Sequence, residues 1–195
     1  MKKFMVIFAV FCLMLLSSLP ADAFSFDLNA SYYLGLTSKG IDINSGGFGA
    51  SGKAGIIGDL WVDGSFLSTK NQQLVSGGIL YRIVSERDLD VLLGGGYLGL
   101  DPKDADASEL KGRGVYWRMA LKYLPVSNLV VSGEISYVPF YKSGEEKESL
   151  VLGKAAISYE LYRNLGVQLS VKNHKTIKKE ASTGPLVGLG LAFRY

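Results

Sequence analysis

Apolar residues alternate with small or charged ones along nearly the whole chain, and the connectors between these stretches alternate short and long. Together with an export-type N-terminus, these observations predict an all-β fold. It is an antiparallel up-and-down transmembrane β-barrel of about ten strands, with eight as the alternative.

At the N-terminus, Lys2 and Lys3 precede an apolar run from Phe4 to Leu16, and Ala21-Asp22-Ala23 offers a small-x-small cleavage site. The run is shorter than the ~20 apolar residues a spanning helix needs. Residues 1–23 are therefore expected to be a cleaved secretory signal peptide, and 24–195 to form a single outer-membrane β-barrel domain beginning at Phe24. The sole cysteine, Cys12, lies in the leader, so disulfides, thiolate chemistry and Cys-based metal sites are excluded from the domain. Without the leader the chain holds 19 basic and 17 acidic residues, a net charge of +2, which is no footprint for nucleic acid. No later apolar stretch approaches helical spanning length, so any membrane crossing is by strands.

Ten segments follow by alternation: 24–36, 47–57, 59–69, 72–84, 89–99, 113–124, 129–140, 149–161, 166–174 and 185–195. Most reach the ~9–11 residues a tilted membrane strand requires. Successive side chains on a strand point to opposite faces, so fixing each register from its apolar residues leaves the charges free to fall on either parity. They fall on the other one each time. The first segment turns Asp27 away from its apolar row. The second turns Lys53 with Gly47, Gly49 and Ser51, and the third Asp63. The fourth turns Arg82 with Ser76 and Gly78, and the fifth Asp90 with Gly94 and Gly96. The sixth turns Arg118 and Lys122, the seventh Glu134 with Ser132 and Ser136, and the eighth Lys154 and Glu160 with Ser158. The ninth turns Lys172 with Ser170. The tenth turns Arg194 against Val187, Leu189, Leu191, Phe193 and Tyr195.

Trp61, Leu80, Leu92 and Leu152 share the charged parity, so the interior is expected to be partly packed rather than water-filled. A Lys or Arg facing the bilayer midplane costs ~2–4 kcal/mol, which is why the charged parity is assigned to the lumen. Small residues suit the crowded interior of a narrow barrel.

Aromatic residues of the apolar face stand near strand ends. Phe26, Tyr81, Tyr123, Tyr159 and Tyr195 lie toward the short turns, and Phe48, Tyr97, Trp117 and Tyr137 toward the long loops. Two such girdles are expected at the two membrane interfaces. Gly58-Asp59, Ser85 to Asp88, Pro125 to Asn128 and Tyr162 to Leu165 are tight. Thr37 to Gly46, Leu100 to Gly112, Tyr141 to Glu148 and Lys175 to Gly184 are longer and polar. Only Lys70-Asn71 breaks the trend, and a misread hairpin there would leave eight strands. A soluble barrel or sandwich alternates as well, with its apolar face inward. The end-placed aromatics, the Gly-rich charged face and the connector asymmetry favour lipid outside.

The ending Gly184-Pro185-Leu186-Val187-Gly188-Leu189-Gly190-Leu191-Ala192-Phe193-Arg194-Tyr195 resembles the closing strand of bacterial outer-membrane barrels. The resemblance implies that Leu189, Leu191, Phe193 and Tyr195 form the signal read by the barrel-assembly machinery. Gly94-Gly95-Gly96-Tyr97-Leu98-Gly99-Leu100-Asp101-Pro102 and Gly133-Glu134-Ile135-Ser136-Tyr137-Val138-Pro139 resemble the YfaZ family of small outer-membrane proteins. That resemblance implies an outer-membrane location and a barrel, with no catalytic residue to carry over.

Chemistry-bearing candidates are few. His174-Lys175-Thr176, with Glu180 downstream, is similar to the His-x-Ser pair and Glu of barrels that deacylate lipid A. Thr stands in place of Ser and the segment is Lys-rich and loop-like, so a solvated loop histidine is expected. Asp101, Asp104, Asp106 and Glu109 offer oxygens for Ca²⁺, but the Gly of an EF-type loop is missing and Lys103 interrupts the acids; a solvated loop is expected. Lys175, Lys178 and Lys179 form a basic loop able to meet lipopolysaccharide phosphates. Gly94-Gly95-Gly96 opens no helix and is no phosphate loop; it is expected to admit a close neighbour. Five lumen acids facing seven bases are expected to pair and plug the barrel, or else to line a thin polar path.

The expectation is a non-enzymatic integral outer-membrane protein with a largely plugged lumen and a structural or interaction role. The first alternative is a narrow channel for small polar solutes. The second is a lipid A acyl hydrolase using His174. No cofactor or metal is expected. The partners expected are outer-membrane lipid, lipopolysaccharide and the assembly machinery.

Overall fold

The computed structural model describes residues 25–37, 40–103, 111–143, 146–177 and 184–195, apart from the side chains of 43, 44, 142, 143, 146 and 147. The expected leader, 1–23, lies outside them. Ten strands run in chain order: β1 Phe26–Thr37, β2 Gly40–Ile57, β3 Leu60–Thr69, β4 Gln72–Ser85, β5 Leu89–Pro102, β6 Gly112–Val126, β7 Leu129–Ser143, β8 Glu146–Tyr162, β9 Leu165–Thr176 and β10 Leu186–Arg194. Each pairs antiparallel with its sequence neighbours, and β1 pairs with β10 to close the barrel. The predicted fold class and the count of ten agree with this architecture, and the Lys70-Asn71 hairpin is real: Leu60 to Ser68 pair with Gln73 to Tyr81.

Two of the expected long loops are instead strand. β1 and β2 continue pairing past a bulge to Thr37↔Gly40, and β7 and β8 continue to Ser143↔Glu146. The backbone groups there gain ladder partners once the neighbouring strand is present, which outweighs the polar composition that suggested loops. At the opposite end the turns are tight. Arg163 and Asn164 of the β8–β9 turn hold φ of 32° and 66°, the left-handed pair a two-residue hairpin turn demands.

The two parities face opposite ways. β6 shows it cleanly: Val115, Trp117, Met119, Leu121 and Tyr123 are exposed on the outside, while Tyr116, Arg118 and Ala120 between them are buried. The outer girdle is likewise exposed, with Phe48, Tyr97, Trp117 and Tyr137 near one rim and Tyr81, Tyr123, Tyr159 and Tyr195 near the other. An apolar surface of this extent is covered by acyl chains in a membrane and by nothing in water.

The core is the lumen. Its larger apolar layer, near the long-loop rim, draws Tyr33, Leu67, Leu74, Leu98, Tyr116, Val138, Tyr141, Leu150 and Leu186 from eight of the ten strands. A smaller cluster of Trp61, Leu80, Leu92 and Ala120 sits toward the tight turns.

Glycine creates the room for the two tyrosines. A Cβ on Gly188 would stand 2.5 Å from Tyr33 Cε1, and one on Gly49 2.8 Å from Tyr33 Cε2. A Cβ on Gly78 would stand 2.5 Å, and one on Gly96 2.6 Å, from the Tyr116 hydroxyl. The Gly-rich stretch at 94–96 therefore does admit a close neighbour, as its composition suggests.

Candidate functional site in the barrel lumen

In a closed ring of ten strands, strands five places apart face one another across the axis. Three lumen contacts span that full diameter. Lys53 of β2 donates to Glu134 of β7 at 2.6 Å. Lys122 of β6 donates to Asp27 of β1 at 3.1 Å. His174 of β9 meets Gln72 of β4 at 3.3 Å between Nδ1 and Oε1. The heights match: Lys53 and Glu134 lie close to the tight-turn ends of their strands, and Gln72 and His174 at the opposite ends.

Shorter chords fill the space between. Arg118 binds Asp63 and also donates from Nε to Ser136 at 2.9 Å. The Tyr116 guanidinium neighbour is the same Arg118, whose Cζ lies 4.5 Å from the ring centroid. Arg82 reaches Asp90 at 3.8 Å and the turn residue Asp59 at 3.0 Å. Lys154 reaches Ser51 at 3.5 Å, and the Lys172 ammonium rests 4.5 Å from the Tyr33 ring centroid. Glu160 accepts from the Asn164 backbone N–H at 3.1 Å. Arg194 stands across from Asp27 in the closing β1–β10 ladder.

The structure thus sets all twelve charges chosen from parity on the inner face, and joins eight of them as four ion pairs: Asp27 with Lys122, Lys53 with Glu134, Asp63 with Arg118, and Arg82 with Asp90. It gives Lys154, Lys172, Arg194 and Glu160 no ion pair among the described residues.

His174 departs from expectation. It is not a solvated loop residue but a buried strand residue, because β9 keeps pairing with β8 through Leu152↔His174 to Leu150↔Thr176. Its parity is that of Lys172, so it points into the lumen. Thr176 is buried on the same side, and Glu180, Lys178 and Lys179 lie outside the described residues. Lys175 is exposed on the outer face. Of the acidic loop, Asp101 pairs with Lys111 at 3.1 Å; residues 104–110 lie outside the description.

Sequence reasoning missed the apolar layer. Its residues share the parity of the charges but lie beyond the last charge of each strand; carrying the parity two to eight residues further would have marked Leu67, Leu74, Leu98, Tyr116 and Leu186. It also missed Gln72 and Asp59.

Among the described residues, small cavities remain in the lumen. One, of about 70 Å³, opens toward the tight turns beside Asp27, Lys122, Arg82 and Arg194. Another, of about 50 Å³, lies deeper, beside Lys154, Lys172, Arg118 and His174. Ser51, Glu134 and Lys154 line both.

A barrel with this lipid-facing belt and charged, packed interior is an integral membrane protein of the outer-membrane class. No protein-family model matches the chain, and no curated protein sequence matches it. Among solved structures it is similar to the outer membrane protease OmpT from Escherichia coli, with a TM-score of 0.63 at 7% identity over 89% of this chain and 97% of that one. The Yersinia pestis outer membrane protein Ail gives 0.45 at 12% identity over 88% and 99%. The N-terminal β-barrel domain of Pseudomonas aeruginosa OprF gives 0.39 at 11% identity over 89% and 98%. The likeness to OmpT is one of fold, and it agrees with the outer-membrane barrel derived from the belt and the lumen.

Proposed function

We propose that this chain is a non-enzymatic outer-membrane barrel of the YfaZ-like kind, with a closed lumen and a structural or interaction role, exported by a cleaved leader. The observation that carries the reading is the set of three contacts across the full barrel diameter, beneath an apolar layer drawn from eight strands. Ion pairs and packed leucines that meet on the axis leave no continuous aqueous path between the two rims. Loops and the exposed wall then remain as the contact surfaces. On this reading lipopolysaccharide is the surrounding lipid partner, and the outward row of Leu189, Leu191 and Tyr195 with the half-buried Phe193 serves the assembly machinery.

The hydrolase alternative is disfavoured by the position of His174, which points at Gln72 inside the barrel, away from any acyl chain. Two measurements test the reading. Purified protein in planar bilayers is expected to give no steady conductance; discrete current steps would overturn closure in favour of a narrow channel. His174→Ala is expected to leave the lipid A acylation profile unchanged, and an altered profile would restore the hydrolase.

A further inference from the structure

Lumen charge is unevenly matched at mid-height. Arg118 is committed to Asp63, Ser136 and Ser76. Glu134 is committed to Lys53 from the opposite wall. Lys154 and Lys172 stand directly across from each other on β8 and β9. Like charges in directly opposed cross-strand positions repel, and neither lysine has a carboxylate within ion-pair reach among the described residues. Lys172 is only 8% exposed, so water does little to screen it. Both ammonium-bearing side chains border the deeper cavity of about 50 Å³, together with the hydroxyl-bearing Ser51, Ser65, Ser76 and Ser136.

Glu134, the cross-strand neighbour of Lys154, is the one carboxylate lining this cavity and is shared with Lys53, whereas Lys154, Lys172 and Arg118 all border it, so the cavity carries an excess of positive charge beside its hydroxyl donors. We propose that this cavity binds one small monovalent anion of halide size, held between the ammonium groups of Lys154 and Lys172. Such an anion offsets the repulsion between the lysines and leaves the Lys53–Glu134 pair intact. Access is from the tight-turn side, because the cavity beside Asp27 and Arg194 shares Ser51, Glu134 and Lys154 with it. The apolar layer closes the other direction. The site therefore behaves as a pocket entered from one rim, and its existence does not depend on whether the lumen conducts.

The test is crystallographic and uses bromide. Crystals of the folded, detergent-solubilised protein grown in sodium bromide are expected to show an anomalous peak inside the lumen, within hydrogen-bonding reach of both Lys154 Nζ and Lys172 Nζ. Lys172→Met is expected to abolish that peak while surface bromides persist. No lumen peak in the wild type, or a peak that survives in Lys172→Met, overturns the proposal. Should Lys172→Met fail to fold, the wild-type crystal alone decides. Unfolding of the wild type in sodium bromide against sodium gluconate at equal ionic strength gives a second reading: a saturable rise in midpoint with bromide supports the site, and identical midpoints in the two salts count against it.

Discussion

Replacing Glu134 with Gln is the sharpest probe of the lumen. The substitution keeps the shape of the side chain and removes only its charge. At the observed 2.6 Å from Lys53, two unit charges interact by about 6 kcal/mol at an effective dielectric near 20. Desolvation cancels a large share of this gross figure. Both side chains remain partly hydrated, at 22% and 17% exposure, which lowers the net value again. Glu134→Gln also leaves Lys154, its cross-strand neighbour on β8, facing Lys53 without a compensating carboxylate. The expected cost is about 3 kcal/mol.

Lys53→Met is expected to cost less, about 1–2 kcal/mol, since Glu134 still faces Lys154. The double variant should then be less damaged than the sum of the singles, with a coupling energy of about 2 kcal/mol. Guanidinium unfolding in liposomes, followed by the heat-dependent shift in gel migration, gives each value. Fluorescence of Trp61 and Trp117, the two tryptophans of the chain, provides an independent probe. A pair held inside the lumen, even partly hydrated, is screened less than a surface pair, so most of the coupling should persist at 1 M salt, where the Debye length is ~3 Å. A coupling below about 0.5 kcal/mol, or one that vanishes in salt, would show that the two side chains do not meet across the axis.

Three further outcomes follow from the packing. Gly78→Ala should destabilise by about 1–3 kcal/mol, because its Cβ would meet the Tyr116 hydroxyl at 2.5 Å and the Gly95 carbonyl at 2.6 Å; Gly99→Ala, with nothing within 4 Å, should be neutral or slightly stabilising in the same unfolding assay. Leu169→Arg, on the exposed outer face of β9, should cost ~2–4 kcal/mol in liposomes, and a loss below 1 kcal/mol there would argue against lipid contact at that height. Leu150→Ala, fully buried in the apolar layer, should cost about 2–4 kcal/mol by leaving a cavity, and unaltered stability would show that the layer is not close-packed.

The strand pattern was legible because a lipid-facing wall imposes one rule on every strand: each lumen charge must sit on the inner parity. Lys53, Arg118 and Lys172 obey it on β2, β6 and β9, and reading them required only the local period of two. The upper ends of the strands were less legible for a physical reason. Once β1–β2 and β7–β8 rise beyond the apolar belt, polar residues are tolerated on both faces, so the start of β2 reads as a loop although Gly40, Ile41 and Asp42 pair with β1 beyond the bulge. The partners of the lumen charges were not legible at all. Cross-strand neighbours follow from the register, but Lys53 with Glu134 lies 81 residues apart in sequence, and their meeting depends on how many strands close the ring.

That dependence also runs backwards, from the contacts to the strand number. Strands β3 and β4 were the ones whose existence the sequence left open. They supply Asp63, which Arg118 binds, Ser76, to which Arg118 also donates, and Gln72, which meets His174. An eight-strand ring without them would strip Arg118 of its carboxylate and bring β2 and β5 together. Buried cations without counter-charge are costly, so the lumen chemistry of β6 and β9 presupposes the β3–β4 hairpin. In a ten-strand ring, Lys53 faces Glu134, Lys122 faces Asp27 and His174 faces Gln72, each five strands apart. Charges and polar groups on three separate strand pairs agree on the same closure, and that agreement fixes the diameter at which side chains from opposite walls can touch.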